Sequence, residues 1–236
     1  MRHVFGPVPS RRLGFSLGVD VVPHKTCSLD CIYCQAGRTT NKTIEREEYI
    51  SCDDILAEVD EVLAKQKKEI EYITLSGSGE PTLNRRMKRI INGIRKLAPI
   101  PIAVITNGTL LFQPEVREEL MEADLVIPSL DAVSEEAFKK VNRPHHSLRI
   151  NKIIDGLGDL SREFRGEIWL EVMIANGMNN HSEEIERIAE SIEEIKPDKI
   201  QLNTVVRPPA EEFAQPVGSQ DLSKLKKILG EKCEII

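Results

Sequence analysis

Ile70-Glu71-Tyr72-Ile73-Thr74-Leu75-Ser76-Gly77-Ser78-Gly79-Glu80-Pro81-Thr82-Leu83 is the stretch that decides the fold. Its first half is a short apolar, β-branched run that reads as a strand over residues 70–76. Gly77 and Gly79 end that strand in a tight turn. Just beyond, Met87, Ile90, Ile91, Ile94 and Leu97 fall on one face of a helix. Strand, glycine turn and amphipathic helix together make one βα unit.

The same unit recurs in both directions. Apolar runs at residues 17–22, 100–106, 125–129, 168–174 and 199–205 read as five further strands. Between them lie helical stripes: Ile55, Leu56, Val59, Val62 and Leu63; Ile185, Ile188, Ala189, Ile192 and Ile195; and last Leu222, Leu225, Ile228 and Leu229. Ser51, with Asp53 and Asp54 after it, resembles a capped helix start, and Lys65, Lys67 and Lys68 close that helix with the charge its dipole favours. Strands this uniformly apolar imply a parallel sheet covered by helices. Six strands in 236 residues are too few for a complete eight-stranded barrel of ~250 residues. An open doubly wound sheet and a partial barrel of six units both fit the count.

Composition limits the rest. Hydrophobic residues make up 40% and charged residues 30%, with a net charge of −6. That argues against unselective nucleic-acid binding by a basic surface. No apolar run approaches the ~20 residues of a membrane span, and the N-terminus lacks a signal-peptide core, so the expected compartment is the cytoplasm. Residues 1–42 nevertheless hold six basic residues (Arg2, Arg11, Arg12, Lys25, Arg38, Lys42) against Asp20 and Asp30. A solvated basic loop before the first strand is the expectation there, with an anionic-substrate surface as the alternative.

Of five cysteines, Cys27, Cys31 and Cys34 fall within eight residues, directly after the first strand run. In a reducing compartment that clustering points to metal or redox chemistry rather than disulfides. Three thiolates suit a [4Fe–4S] cluster with one iron open to an exchangeable ligand. Zinc, with His24 as a fourth ligand, and free thiols remain open on spacing alone. Cys52 and Cys233 read as bystanders, although Cys233 sits near the end of the chain, where a mobile tail could expose it.

The CxxxCxxC pattern, with Tyr33 directly before its last cysteine, resembles the signature of the radical S-adenosylmethionine (SAM) superfamily. The resemblance implies an α/β fold, a partial (β/α)6 TIM-type barrel of parallel strands with outer helices. The barrel would span residues 17–208, after an N-terminal extension over 1–16 and before a C-terminal helix and tail over 209–236. It also implies a [4Fe–4S] cluster held by Cys27, Cys31 and Cys34. SAM would chelate the open iron and be cleaved reductively to a 5′-deoxyadenosyl radical. Ser78-Gly79-Glu80-Pro81 lines up with the family's Gly-Gly-Glu-Pro segment at the methionine end of SAM, with Ser78 in place of the first glycine. Tyr33 is expected near the adenine, and Ser129 and Asp131 near the ribose, with helix capping at Ser134 as the competing use of that segment. Asn107, in a Thr-Asn-Gly-Thr-Leu-Leu run seen in several subgroups, joins the cofactor-binding candidates.

Glu171, Gln201 and Asn203 sit in mid-strand, where a polar side chain cannot enter the helix layer cheaply, so they should face the barrel interior. Contact with SAM or substrate and structural hydrogen bonding are both open to them, and Glu171 and Asn203 complete the candidate site. Ser129-Leu130-Asp131-Ala132 and Lys139-Lys140-Val141-Asn142-Arg143-Pro144 look most like the group that contains the archaeal-type wyosine-base synthase. That group carries further cysteines ahead of the motif, whereas the first cysteine here is Cys27. The loop Asn142-Arg143-Pro144-His145-His146 reads as a turn or a lid.

The resemblance further implies an external electron donor of the ferredoxin or flavodoxin type. A length that leaves little beyond one six-unit barrel suggests that a macromolecular substrate or partner (RNA, peptide or protein) closes its mouth. The competing readings are a non-catalytic iron–sulfur electron carrier, a zinc-binding adaptor and a glycyl-radical activating enzyme.

Overall fold

A computed structural model of the chain describes residues 3–66 and 68–236; Arg2 and Lys67, counted above, lie outside the described residues. Ten strands are present among these: β1 (Val4–Ser10), β2 (Gly14–Val19), β3 (Thr26–Cys27), β4 (Asn41–Lys42), β5 (Tyr72–Leu75), β6 (Ile102–Thr106), β7 (Leu125–Pro128), β8 (Glu167–Ile174), β9 (Lys199–Thr204) and β10 (Cys233–Ile235). Seven α-helices accompany them: α1 (Cys52–Lys65), α2 (Met87–Leu97), α3 (Pro114–Leu120), α4 (Glu135–Val141), α5 (Ile150–Glu163), α6 (Ser182–Ile195) and α7 (Ser219–Leu229). Eight strands form one sheet in the order β1-β2-β5-β6-β7-β8-β9-β10, and β3 and β4 pair separately. Strands β2 and β5–β9 are the six expected units, all parallel. The sheet curls as a partial barrel and is not closed.

Period-two alternation sets its two faces. Leu17, Val19, Ile73, Leu75, Ile102, Val104, Val126, Leu170, Val172 and Leu202 join the helices in the main core. The stripes on α2 and α6 supply the other side through Ile90, Ile91, Ile94, Ile185 and Ile188, all fully buried. Leu97 and Ile228, expected on the buried stripes of α2 and α7, are 38% and 42% exposed. Ser51 makes no side-chain cap at α1; Glu48 takes the Cys52 amide instead, at 3.3 Å.

Two edges depart from the sequence reading. Residues around Pro7 and Pro9 form β1, an antiparallel edge strand on β2, in place of a solvated loop. An edge strand tolerates proline because one side of its ladder is unpaired. The hairpin tip then turns under the barrel, where Leu13 packs with Ala103, Leu125 and Ile127. At the other edge β10 pairs in parallel with β9, so Cys233 is 1% exposed and belongs to a strand, not a mobile tail.

Candidate active site

The cysteines lie at the C-terminal end of the sheet, where parallel α/β folds place their chemistry. Cys27 ends β3, and the following turn is closed by the Cys34 amide donating to the Cys31 carbonyl at 3.1 Å. The Asp30 and Ile32 amides tie the same turn to the carbonyls of Asn142 and Val141, both at 3.0 Å. The glycine turn after β5 is stitched to the approach to Cys27. Lys25 donates its amide to the Ser78 carbonyl at 2.7 Å, and Glu80 donates to the Thr26 carbonyl at 3.0 Å. A Cβ on Gly79 would lie 2.3 Å from the Thr26 carbonyl, so only glycine permits this approach.

Each sulfur faces a donor. Asn107 Nδ2 reaches Cys27 Sγ at 3.5 Å, Asn142 Nδ2 reaches Cys31 Sγ at 3.4 Å, and Lys25 Nζ reaches Cys34 Sγ at 3.1 Å. Burial pushes the Cys27 thiol up to about 12, helped by the nearby Glu80 charge. Burial also raises Cys31 well above the ordinary thiol value, with Asp131 adding to it. The bare Cys27 and Cys31 thiols therefore keep their protons, and a metal centre must displace them to bind.

The residues fit an anionic iron–sulfur centre. Lys25 is only 4% exposed, and among the described residues its ammonium has no carboxylate in ion-pair range. A buried ammonium with a thiol as its side-chain partner calls for negative charge, which a thiolate-ligated cluster supplies. Asn142 is 3% exposed, and its Oδ1 has no hydrogen-bond partner among the described residues, so an acceptor beside Cys31 stands ready for a ligand's donor. Among the described residues no three His, Cys, Asp or Glu side chains, the cysteine trio included, are close enough together to share a single metal ion.

The other candidates divide into two groups. Tyr33, Glu171 and Asn203 line a cavity of about 360 Å³ in the barrel lumen, together with Met173 and Thr74. Asn107, Ser129 and Asp131 line a second cavity of only about 10 Å³ with Asn142. Tyr33 links the two, because its hydroxyl donates to Asp131 Oδ2. Asp131 also accepts from Asn142 Nδ2 at 2.7 Å and from the Met173 amide at 3.0 Å. Burial raises its carboxyl to about 6, against the pull of the Tyr33 and Asn142 bonds. Ser134 caps α4 by accepting from the Ala137 amide at 3.1 Å.

Glu80 is 2% exposed, and its oxygens accept from the Thr82 amide and hydroxyl, the Thr106 hydroxyl and the Asn107 amide, at 2.6–3.0 Å. Burial raises its pKa despite those bonds. Its role is to join the turns after β5 and β6, and Ser78 is similarly engaged: its amide donates to Asp20 Oδ1 at 2.7 Å. Glu171 does face the interior, where Arg12 from the β1–β2 hairpin pairs with it and Asn203 Nδ2 donates to it at 3.2 Å. Gln201 is 2% exposed, its Oε1 has no hydrogen-bond partner among the described residues, and it stands outside the lumen lining.

Sequence reasoning missed Asp20, Lys25 and Asn142 as site residues. Asp20 had a usable signal, a carboxylate at the C-terminal end of an apolar strand. Lys25 and Asn142 had none, because their contacts depend on how distant segments meet.

A model of the radical SAM superfamily matches residues 21–203. The chain belongs to the radical SAM superfamily. It is 41% identical over 232 residues to a UPF0026 protein of Methanocaldococcus jannaschii, a match that covers 98% of this chain and 72% of that protein. It is also 44% identical over 234 residues to a Brachyspira hyodysenteriae protein named GTPase Obg, covering 99% of this chain but 34% of that protein, so it spans about a third of that relative's length. Among solved structures, a radical SAM methyltransferase from Sphaerobacter thermophilus superposes with a TM-score of 0.74 at 17% identity. That superposition covers 94% of this chain and 65% of that one, and the likeness is one of fold.

Proposed function

We propose that this protein is a radical SAM enzyme that holds a [4Fe–4S] cluster through Cys27, Cys31 and Cys34 and cleaves SAM reductively to attack a substrate in the barrel lumen. The observation that carries this reading is the trio of sulfurs, each met by its own donor, with the buried Lys25 ammonium at Cys34 paired to no carboxylate among the described residues. A [4Fe–4S] cluster held by Cys27, Cys31 and Cys34 would supply the single electron that reductive cleavage of SAM to methionine and a hydrogen-abstracting 5′-deoxyadenosyl radical requires.

The chain's own residues bind, orient and exclude water. Lys25 and the amides of Asn107 and Asn142 hold negative charge at the sulfurs. The Ser78–Pro81 turn receives the methionine end through backbone groups, since Asp20 and Glu80 hold it rigid from behind. Tyr33 faces the adenine and Ser129 the ribose, while Asp131 orients Tyr33 and Asn142 rather than serving only the ribose. Glu171 and Asn203 meet the substrate in the lumen. A one-electron donor of the ferredoxin or flavodoxin type reaches the cluster across the exposed segment with Arg38, Thr40 and Lys42.

Anaerobic reconstitution with iron and sulfide, followed by dithionite and SAM, tests the reading. Equal amounts of 5′-deoxyadenosine and methionine are expected from the wild-type protein and none from a Cys27→Ala/Cys31→Ala/Cys34→Ala variant. Production of neither compound by the reconstituted wild type refutes it.

A further inference from the structure

The lumen is bounded on its open side by the seam between the two sheet edges, and three arginines gather there. Arg11, Arg12 and Arg207 all line the 360 Å³ cavity, and Glu171 is the one carboxylate among its described lining residues. Arg12 is the guanidinium that Glu171 neutralises. Arg11 crosses the seam to the main-chain oxygen of Ile236 at 3.3 Å, and Arg207 donates to the side-chain oxygen of Gln35. Among the described residues neither Arg11 nor Arg207 pairs with an Asp or Glu side chain, although acidic residues outnumber basic ones in the chain. Partial burial lowers the pKa of Arg11, and the charges of Arg207 and Arg12 lower it further, with Glu171 opposing. Three guanidinium groups at a cavity wall whose described lining holds one carboxylate are a binding surface for an anion, and guanidinium forks suit the paired oxygens of a carboxylate or phosphate.

We propose that the lumen takes a small organic oxyanion through the open seam, with Arg11 and Arg207 holding its carboxylate or phosphate group and Glu171, Asn203 and Met173 meeting its uncharged portion. This rests on the reading above that the lumen is where hydrogen is abstracted. The rim agrees with such a ligand. Phe5, Val8 and Val206 are 40%, 43% and 57% exposed beside the arginines, giving an apolar margin to a cationic entrance. Deeper in, the Ser16 and Thr74 hydroxyls stand 2.5 Å apart on the wall and provide neutral polar contacts.

Titration calorimetry on the cluster-loaded protein tests this with three probes: inorganic pyrophosphate, malonate and uncharged malonamide. At least one of the two anions is expected to bind, malonamide is not, and the affinity should fall as sodium chloride is raised. Which anion binds more tightly tells phosphate from carboxylate. An Arg11→Gln/Arg207→Gln variant should lose affinity on the order of 10–100-fold, as expected for two lost charge-assisted hydrogen-bonding groups. Thermal unfolding and cluster absorbance report whether the double variant is folded. Arg207→Gln alone, in an exposed segment, provides the same comparison if it is not.

Binding of neither anion, equal binding of malonamide, or undiminished anion binding by the folded variants overturns the proposal. Measuring 5′-deoxyadenosine in the same wild-type preparation separates it from the functional reading. SAM cleavage without anion binding removes this inference alone. Anion binding without SAM cleavage removes the functional reading.

Discussion

Arg12→Met tests how the open barrel is held together. Arg12 comes from the hairpin tip and Glu171 from the middle of β8, 159 positions away, and the two side chains are 16% and 10% exposed. Removing the arginine leaves a nearly buried carboxylate whose one remaining side-chain donor among the described residues is Asn203 Nδ2, at 3.2 Å. Breaking a buried pair from one side costs about 3–5 kcal/mol. Because the pair borders a cavity that admits water, about 2–4 kcal/mol is the appropriate range here. At roughly 2–4 °C per kcal/mol for a chain of this size, the thermal midpoint should fall by about 5–15 °C.

Glu171→Gln keeps the Asn203 contact and leaves Arg12 facing the lumen, so it should cost less, about 1–2 kcal/mol. The double variant Arg12→Met/Glu171→Gln should be little worse than Glu171→Gln alone. Urea unfolding of the four proteins then gives a coupling energy of about 1.5–3 kcal/mol. A coupling below about 0.5 kcal/mol, the level of an exposed ion pair, would show that the hairpin is not clamped to β8 and that the lumen is not closed from below in this way.

Other expectations follow from the same structure. Gly79→Ala places a methyl 2.3 Å from the Thr26 carbonyl, so it should cost about 1–3 kcal/mol and lower the iron retained after reconstitution, read by urea unfolding and iron assay. Glu184 is opposed by burial but held below the usual carboxylate range by the amides of Val133 and Ser134, at 2.6 and 3.0 Å. Its contribution is therefore present above the unfolded carboxylate pKa of ~4.3 and lost as pH falls through the lower folded value. Glu184→Gln should destabilise by about 1.5–3 kcal/mol at pH 7, with the difference from wild type shrinking below about pH 4. A pH series of unfolding midpoints checks this. Cys52 and Cys233 are 0% and 1% exposed and lie in α1 and β10. Their alanine variants should reconstitute with the iron content of wild type, whereas Cys34→Ala should not.

The six parallel strands were legible because each is a nearly unbroken apolar run, and strands buried on the helix side need that composition. β1 was not, because Gly6, Pro7 and Pro9 spell a loop until an edge position makes them tolerable. The three residues of β10 owe their conformation to pairing with β9, which no local pattern announces. The cysteine trio was legible from spacing. The interior position of Glu171 was legible from alternation, but its partner was not, since an arginine on a remote hairpin leaves no periodic trace. In the sequence Asp131 and Ser129 look alike as ribose ligands. The structure separates them, because three donors from Tyr33, Asn142 and Met173 converge on Asp131, 4% exposed. Lys25 shows the limit most plainly: only folding brings its ammonium 3.1 Å from Cys34.

The central claim is that three cysteines hold a cluster with one iron open to SAM. Electron paramagnetic resonance of the dithionite-reduced, reconstituted protein tests it most directly. A [4Fe–4S]+ signal whose shape changes on adding SAM, together with about four irons per chain as that cluster type requires, is the predicted result. A signal unaltered by saturating SAM, or no cluster signal in the wild-type protein, contradicts it.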